Sequence, residues 1–333
     1  MDIGLNMPTH GVLARPGREV IIHKVEPEEL RLTEIAIRAE KLGYHSLWFP
    51  DHVLMPRRVV SPHTANPESG TNAYGERPNM LDAAVTMGAI ACNTTRIKLA
   101  PSVLVSPYRH PLSDARQFAT VDILSGGRLI MAVGPGWCRE EFDALRVPFA
   151  QRGAITAECI EIYKAAWAQS WVQFHGRFFD FPEVSVDPKP RQRPRPPIYY
   201  GGVTRAGIRR ALQHCDGVYP IVTDPDVSKE TFAGLRNTIE AEAEALGRDL
   251  AHFKLMTLVM CLVTEKQNVS TVKRRSFMSG SPDNIVEDLT ALASCGFSHC
   301  TVHLDVRSGS IAEFIDMMEL LGEEVVPSAS ALN

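Results

Sequence analysis

Short apolar runs with little or no alternation recur along this chain at 2–7, 46–49, 97–103, 128–133, 198–201, 217–221, 254–263 and 299–304. Runs of that length, rich in Val, Ile, Leu and aromatic residues, predict strands buried on both faces. Between them, apolar positions recur at helical spacing over 27–42, 80–92, 111–124, 155–169, 205–214, 232–246, 282–295 and 311–321. Ser281, Pro282 and Asp283 form an N-terminal helix signal, and Gly296, Gly247 and Gly43 follow helix ends. Eight strand and helix units in alternation, with no linker-like boundary, predict an α/β fold: a (β/α)8 TIM barrel spanning 1–322 as one domain.

Two connections are long for such a barrel. Residues 53–79 follow strand two and are rich in Pro, Asn, Gly and Ser; residues 170–197 form an insertion between strands four and five. The insertion carries WVQFHGRFFDF, which predicts an aromatic hairpin about His175 and Gly176, and then DPKPRQRPRPP. That basic proline-rich run is read as a stiff loop leading into strand five rather than as a polyproline ligand. The tail at 323–333 is expected to fray.

Composition narrows the function. With 35 Lys and Arg against 39 Asp and Glu, the net charge is -4, and no basic segment forms the footprint of a nucleic-acid binder. The seven cysteines are scattered and contain no Cys-x-x-Cys pair, so neither a disulfide framework nor a metal site is expected. No secretion signal or apolar span of membrane length is found, and a cytoplasmic protein with a small-molecule substrate is the expectation.

Barrel enzymes build their sites from the loops after the strands. After strand two stand Asp51 and His52; after strand three, Arg109 and His110; after strand four, Gly134, Gly136, Trp137 and Cys138; after strand five, Gly201, Gly202, Val203 and Thr204. His52 can give or take a proton while Asp51 orients it or bonds a cofactor; either residue could instead be a turn cap or a spectator. Arg109 and His110 are candidates for holding an anion or substrate. Gly134-Pro135-Gly136 is not a dinucleotide fingerprint, because Arg139 stands where the third glycine belongs. Gly201 to Thr204 joins a strand to a helix N-terminus, which suits a phosphate as well as it suits a plain cap. Nothing near Cys138 marks it as a nucleophile. No HExxH, GxSxG or Walker A motif occurs, which disfavours hydrolysis by metal or serine.

The stretches GYHSLWFPDHVLMP, RIKLAPSVLVSPYRHPLSDARQFATVDILSGGRLIMAVGPGW and PPIYYGGVTRAGIRRALQHCDGVYP resemble the bacterial-luciferase-like flavin and deazaflavin oxidoreductases. The resemblance runs from residue 1 to about 220 and more diffusely to 320. It implies a flavin-type ring at the barrel mouth, lying on strand three at a non-proline cis peptide whose matching residues are Ser102 and Val103. It also implies cofactor contacts from Asp51, Gly134, Gly136, Trp137 and Gly201 to Thr204. The PDHV and PYRHP motifs are most similar to the subgroup using coenzyme F420, in which an Asp–His pair matching Asp51 and His52 lies beside the reactive ring carbon. Some of those relatives carry an acid where Trp137 stands; this chain departs from them there. Hydride exchange between F420 and a small, apolar organic substrate, with His52 handling the proton, is therefore expected. The alternative is an FMN-dependent two-component monooxygenase supplied by a partner reductase, and a second is a non-catalytic flavin-binding accessory protein. A homodimer is also implied by the resemblance.

Overall fold

A computed structural model describes residues 1–15, 20–62, 74–75, 77–224, 226–264 and 275–332. Eight barrel strands run in one direction: β1 (Asp2–Asn6), β2 (Ser46–Phe49), β3 (Lys98–Pro101), β4 (Met131–Gly134), β5 (Ile198–Tyr200), β6 (Gly217–Val218), β7 (Lys254–Val263) and β8 (His299–Leu304). Each pairs in parallel with its chain neighbour, and β8 returns to β1 with Asp2 opposite His299 and Leu5 opposite Val302. Between β3 and β4 the ring closes through a bridge from Leu99 to Leu129 and through Leu104–Val105, which lies beside Val133 and Gly134. The path thus contains nine strand segments in a nearly closed parallel barrel.

Two predicted strands are interrupted. The run at 97–103 stops at Pro101, and the Ser102–Val103 peptide is cis, as the resemblance implies. The run at 217–221 divides into Gly217–Val218 and Ile221–Val222, because Pro220 has no N–H to give the ladder. Predicted helices recur as α1 (Leu32–Lys41), α2 (Ala83–Ala91), α3 (Pro111–Leu124), α5 (Arg152–Ala168), α6 (Arg205–His214), α7 (Lys229–Leu246), α8 (Pro282–Ser294) and α9 (Ile311–Glu324). Helix α2 begins later than expected because the Asp82 carboxylate accepts from Val85 N and caps it there.

Three elements differ from expectation. A short hairpin of Val12–Ala14 against Ile21–His23 follows β1 and covers part of the mouth. A six-residue helix, α4 (Arg139–Ala144), follows β4 directly. The tail does not fray: α9 reaches Glu324, α10 (Val326–Ser330) buries Val326 and Ala329, and the Met1 ammonium donates to Ala329 O. In the insertion, Val172–His175 pairs antiparallel with Asp180–Val184, and the proline-rich run is tied down by Gln192 on Asp122 and by Arg195 on Asp216. Most of the loop after β2, at 63–73 and 76, lies outside the described residues.

The barrel interior is filled. Trp48 stacks on Tyr219 at 4.0 Å between ring centroids, amid Ala100, Ile130, Ala132, Tyr199, Met256 and Leu258. Gly4 makes room for that stack, since a Cβ there would come within 2.5 Å of the Trp48 indole nitrogen. A larger core lies between barrel and helices. Among the described residues no helix is long and apolar enough to cross a membrane.

Candidate active site

A cavity of about 490 Å³ opens at the C-terminal ends of the strands, and every one of the eight contributes to its wall either directly or through the segment that follows it, from Asn6 on β1 to His303 on β8. It lies where the β/α architecture concentrates catalytic groups.

His52 lines this cavity. Its Nδ1 lies 2.8 Å from Glu141 Oε2 and its Nε2 lies 3.3 Å from the Tyr74 hydroxyl. Glu141, on α4, is fully buried and saturated with donors: Oε1 accepts from Val53 N at 2.8 Å and Leu54 N at 3.2 Å, and Oε2 also accepts from the Tyr108 hydroxyl at 2.8 Å. Burial alone would push the Glu141 carboxyl up. The hydrogen bond and attraction of His52, with the bonds from Tyr108 and Leu54 N, outweigh it and hold the group below the usual carboxylate range. A carboxylate on Nδ1 fixes the imidazole with a proton on that nitrogen, leaving Nε2 as the atom that exchanges protons.

The expectation that Asp51 orients His52 is corrected by this arrangement. Asp51 is buried and receives two Arg109 hydrogen bonds, at 2.9 and 2.7 Å, and one from Val105 N at 3.0 Å. The pair clamps the loops after β2 and β3 together. Asp51 still reaches the cavity wall; Arg109 does not line it, and its charge is already matched. His110 lies away from the cavity too: it caps α3 through Nδ1 and packs against Phe179 and Phe181 of the insertion hairpin.

The glycine-rich loops come together. Ser102, Val103, Gly136, Trp137 and the segment from Gly201 to Thr204 line one arc of the wall. Gly134 does not line it, but a Cβ there would meet Val103 Cγ2 at 2.5 Å, so its bareness seats the Ser102–Val103 turn. Gly136 has φ +78°, a conformation that suits glycine, and its carbonyl accepts from Arg152. Thr204 caps α6 by accepting from Gly207 N, while Arg152 and Arg210 reach the same end of the cavity. Two guanidinium groups and a helix N-terminus form an anion-favouring corner. Val103, Ile221 and Leu258 give the cavity an apolar floor.

Sequence reasoning missed Glu141, Tyr74, Tyr108, Arg152, Arg210 and the polar residues Asn6 and Thr223. The Glu140-Glu141 pair, which follows the GPGW turn after two intervening residues, was the available signal for the first of these.

Residues 11–304 match the family described as Luciferase-like monooxygenase. An uncharacterized protein of Mycobacterium tuberculosis strain H37Rv is 33% identical over 206 residues, covering 62% of this chain and 70% of that protein. An FMNH(2)-dependent dimethylsulfone monooxygenase of Pseudomonas putida is 34% identical over 149 residues, covering 44% of this chain and 40% of that protein. Among solved structures, an F420-dependent secondary alcohol dehydrogenase in complex with an F420-acetone adduct superposes with a TM-score of 0.72 at 18% identity, over 98% of each chain. The family match extends from the mouth hairpin to the last barrel strand, so it takes in most of the strand-end cavity and every group assembled around His52: the chain belongs to the luciferase-like monooxygenase family.

Proposed function

We propose that this protein is an oxidoreductase that binds coenzyme F420 in the strand-end cavity and exchanges hydride with a small organic substrate, His52 carrying the accompanying proton. The observation that carries the reading is the His52 imidazole, held by a buried carboxylate on Nδ1 and turned with Nε2 beside Tyr74 at the cavity wall.

The residues present fit a flavin-type group. Thr204, the α6 N-terminus, Arg152 and Arg210 would hold its anionic side chain, while Ser102, Val103 and Gly201 would back the flat ring. Such a group supplies the two-electron carrier. The chain's own residues do the rest. Glu141 keeps the Nδ1 proton in place, Nε2 gives or takes the proton at the substrate's heteroatom, and Asp51 with Arg109 fixes the loop that carries His52. The walls around Trp137 and Tyr74 keep water from the reacting atoms.

A second reading is an FMN-dependent monooxygenase with a partner reductase, favoured by the 34% identity to the dimethylsulfone enzyme. Titrating the purified protein with F420 and with FMN in parallel, by fluorescence or calorimetry, separates the two. Tighter binding of F420 with turnover that consumes no oxygen supports the proposal; preference for reduced FMN with oxygen uptake supports the second reading. His52→Ala should lower turnover by about 10²-fold or more with cofactor affinity within a few-fold. Unchanged turnover would remove His52 from the reaction.

A further inference from the structure

We propose that the end of the barrel opposite the cavity carries a binding site for a transition-metal dication such as Zn2+, with Asp2, His45 and His299 as its ligands. The inference is independent of the oxidoreductase reading.

Topology brings the three together. In a parallel barrel the strand starts share one end; Asp2 opens β1, His299 opens β8, and His45 directly precedes β2. Register sets Asp2 opposite His299, and His45 N donates to Ile3 O at 2.8 Å, which brings the imidazole beside that pair. One donor atom from each side chain lies within 4.8 Å of the other two. His45 Nε2 and Asp2 Oδ2 are 3.3 Å apart, and two donors on one tetrahedral ion, each about 2.1 Å from it, stand about 3.4 Å from one another. The ion touches its donors directly, so it needs no void of the size of a water molecule. Asp2, whose side chain is 43% exposed, gives the site its entry from solvent and can turn toward His299.

His299 supplies the observation that points to a ligand. It is 2% exposed, and its Nε2 lies 3.1 Å from Thr301 Oγ1, while its Nδ1 has no hydrogen-bond partner among the described residues. With Nε2–H donating to Thr301, Nδ1 is left as a bare lone pair. His45 is braced in the same way: its Nδ1 lies 3.2 Å from Ser46 Oγ, which accepts from Trp48 Nε1 at 2.8 Å. An imidazole whose one nitrogen donates to a fixed acceptor and whose other nitrogen is bare has the arrangement of a metal-bound histidine. Leaving a buried nitrogen unsatisfied is unfavourable, and an ion bonded to the lone pair satisfies it without a hydrogen.

The donor set selects the ion. Two imidazoles and one carboxylate suit Zn2+, Co2+ or Ni2+, whereas Mg2+ and Ca2+ take shells of oxygen. Neighbouring charge acts in the same direction. Lys98, exposed at the start of β3, and the Met1 ammonium both lie near His299, so the single carboxylate does not suffice to attract a hard cation and the nitrogen bonds must carry the affinity. Cysteine spacing gives no sign of this site, because none of the seven cysteines takes part in it. An ion here ties the first strand to the last at the seam of the ring, so its contribution is to stability and not to chemistry at the far end.

The test is calorimetric titration of the purified, untagged full chain, dialysed against EDTA and then against buffer, with Zn2+ at neutral pH. Mg2+ serves as the hard-cation control, and Co2+ reports coordination by its visible absorption. Wild type should take up one Zn2+ per chain, show no uptake of Mg2+, and give with Co2+ the intense absorption of a tetrahedral site. His45→Gln and Asp2→Asn, both at partly exposed positions, should each weaken Zn2+ binding by about tenfold or more, since even loss of a group behind a ligand has an effect of that size. Zn2+ should raise the Tm of wild type and leave that of His45→Gln unchanged. His52→Ala, at the other end of the barrel, should keep the wild-type Zn2+ affinity. No Zn2+ uptake, Mg2+ bound as tightly as Zn2+, or an affinity unchanged in both His45→Gln and Asp2→Asn would overturn the assignment. Affinity lost in His52→Ala and kept in His45→Gln would overturn it as well, by placing the ion at the mouth.

Discussion

A carboxylate sealed from water keeps its charge only when donors surround it, and Glu141 has four. Three of them, His52, Val53 and Leu54, are consecutive, so one side chain sets both the imidazole and the backbone beyond it. Glu141→Gln keeps the size and removes the charge. It should lower kcat about tenfold to a hundredfold while the KM for cofactor stays within a few-fold, and should cost about 1–3 kcal/mol in denaturant unfolding. A fall in KM and kcat together, with full stability, would contradict a positioning role. His52 was legible in the sequence because it stands directly after a buried strand, where the fold must place it at the mouth. Glu141 was not: it lies 89 residues away, and only the barrel's closure brings α4 against the loop after β2. Asn6 was hidden differently, since as the last residue of a strand it reads as a simple continuation of the run at 2–7.

At the scale of elements, α4 works as a clasp. Glu140 Oε1 accepts from Val60 N at 2.8 Å and Ser61 N at 3.0 Å, while Ser61 Oγ accepts from Arg139 N at 3.0 Å. Burial would raise the Glu140 carboxyl, but these hydrogen bonds prevail and hold it at about 2. Its contribution is present above the ordinary carboxylate range and lost as pH falls toward 2. Glu140→Gln should free the loop at 53–62, whose Arg57 and Arg58 are exposed, and raise trypsin cleavage there about tenfold, equivalent to about 1.4 kcal/mol of local opening. Cleavage at the wild-type rate would show that the clasp contributes nothing. Strand and helix succession was readable because both periods are strong in this chain. The breaks at Ser102–Val103 and Tyr219–Pro220 were less so, because apolar runs continue through them. The Val12–Ala14 hairpin was missed since three residues per strand show no period, and α10 because PSASALN carries no apolar stripe.

The whole molecule carries an imbalance in its buried titratable groups. Burial pushes His45 and His303 down to about 4, and His299 well below its ordinary value. Each is neutral when folded and gains a proton when unfolded, so its contribution is present above the ordinary histidine range and lost as pH falls from about 6.5 toward 4. Asp114, pushed up by burial to about 7, acts with the opposite sign over the same window, because its folded form holds the proton longer. Asp305, whose carboxyl burial also pushes up, acts in the same sense as Asp114; three histidines oppose these two, so unfolding free energy should decrease between pH 6.5 and 4, and denaturant curves at half-unit pH steps would reveal a flat or rising profile if this reasoning fails. The barrel as a whole was the most legible feature, since eight repeats of one unit leave few arrangements; the chemistry at its mouth was the least, being assembled from eight separated loops. The Trp48–Tyr219 stack adds a constraint of traffic. It plugs the lumen beneath the cavity, so among the described residues the cavity leads outward only through the mouth. For the reaction proposed above, the two molecules would share one door, and the one seated deeper would arrive first and depart last: the order of arrivals would follow from the architecture before any affinity is considered.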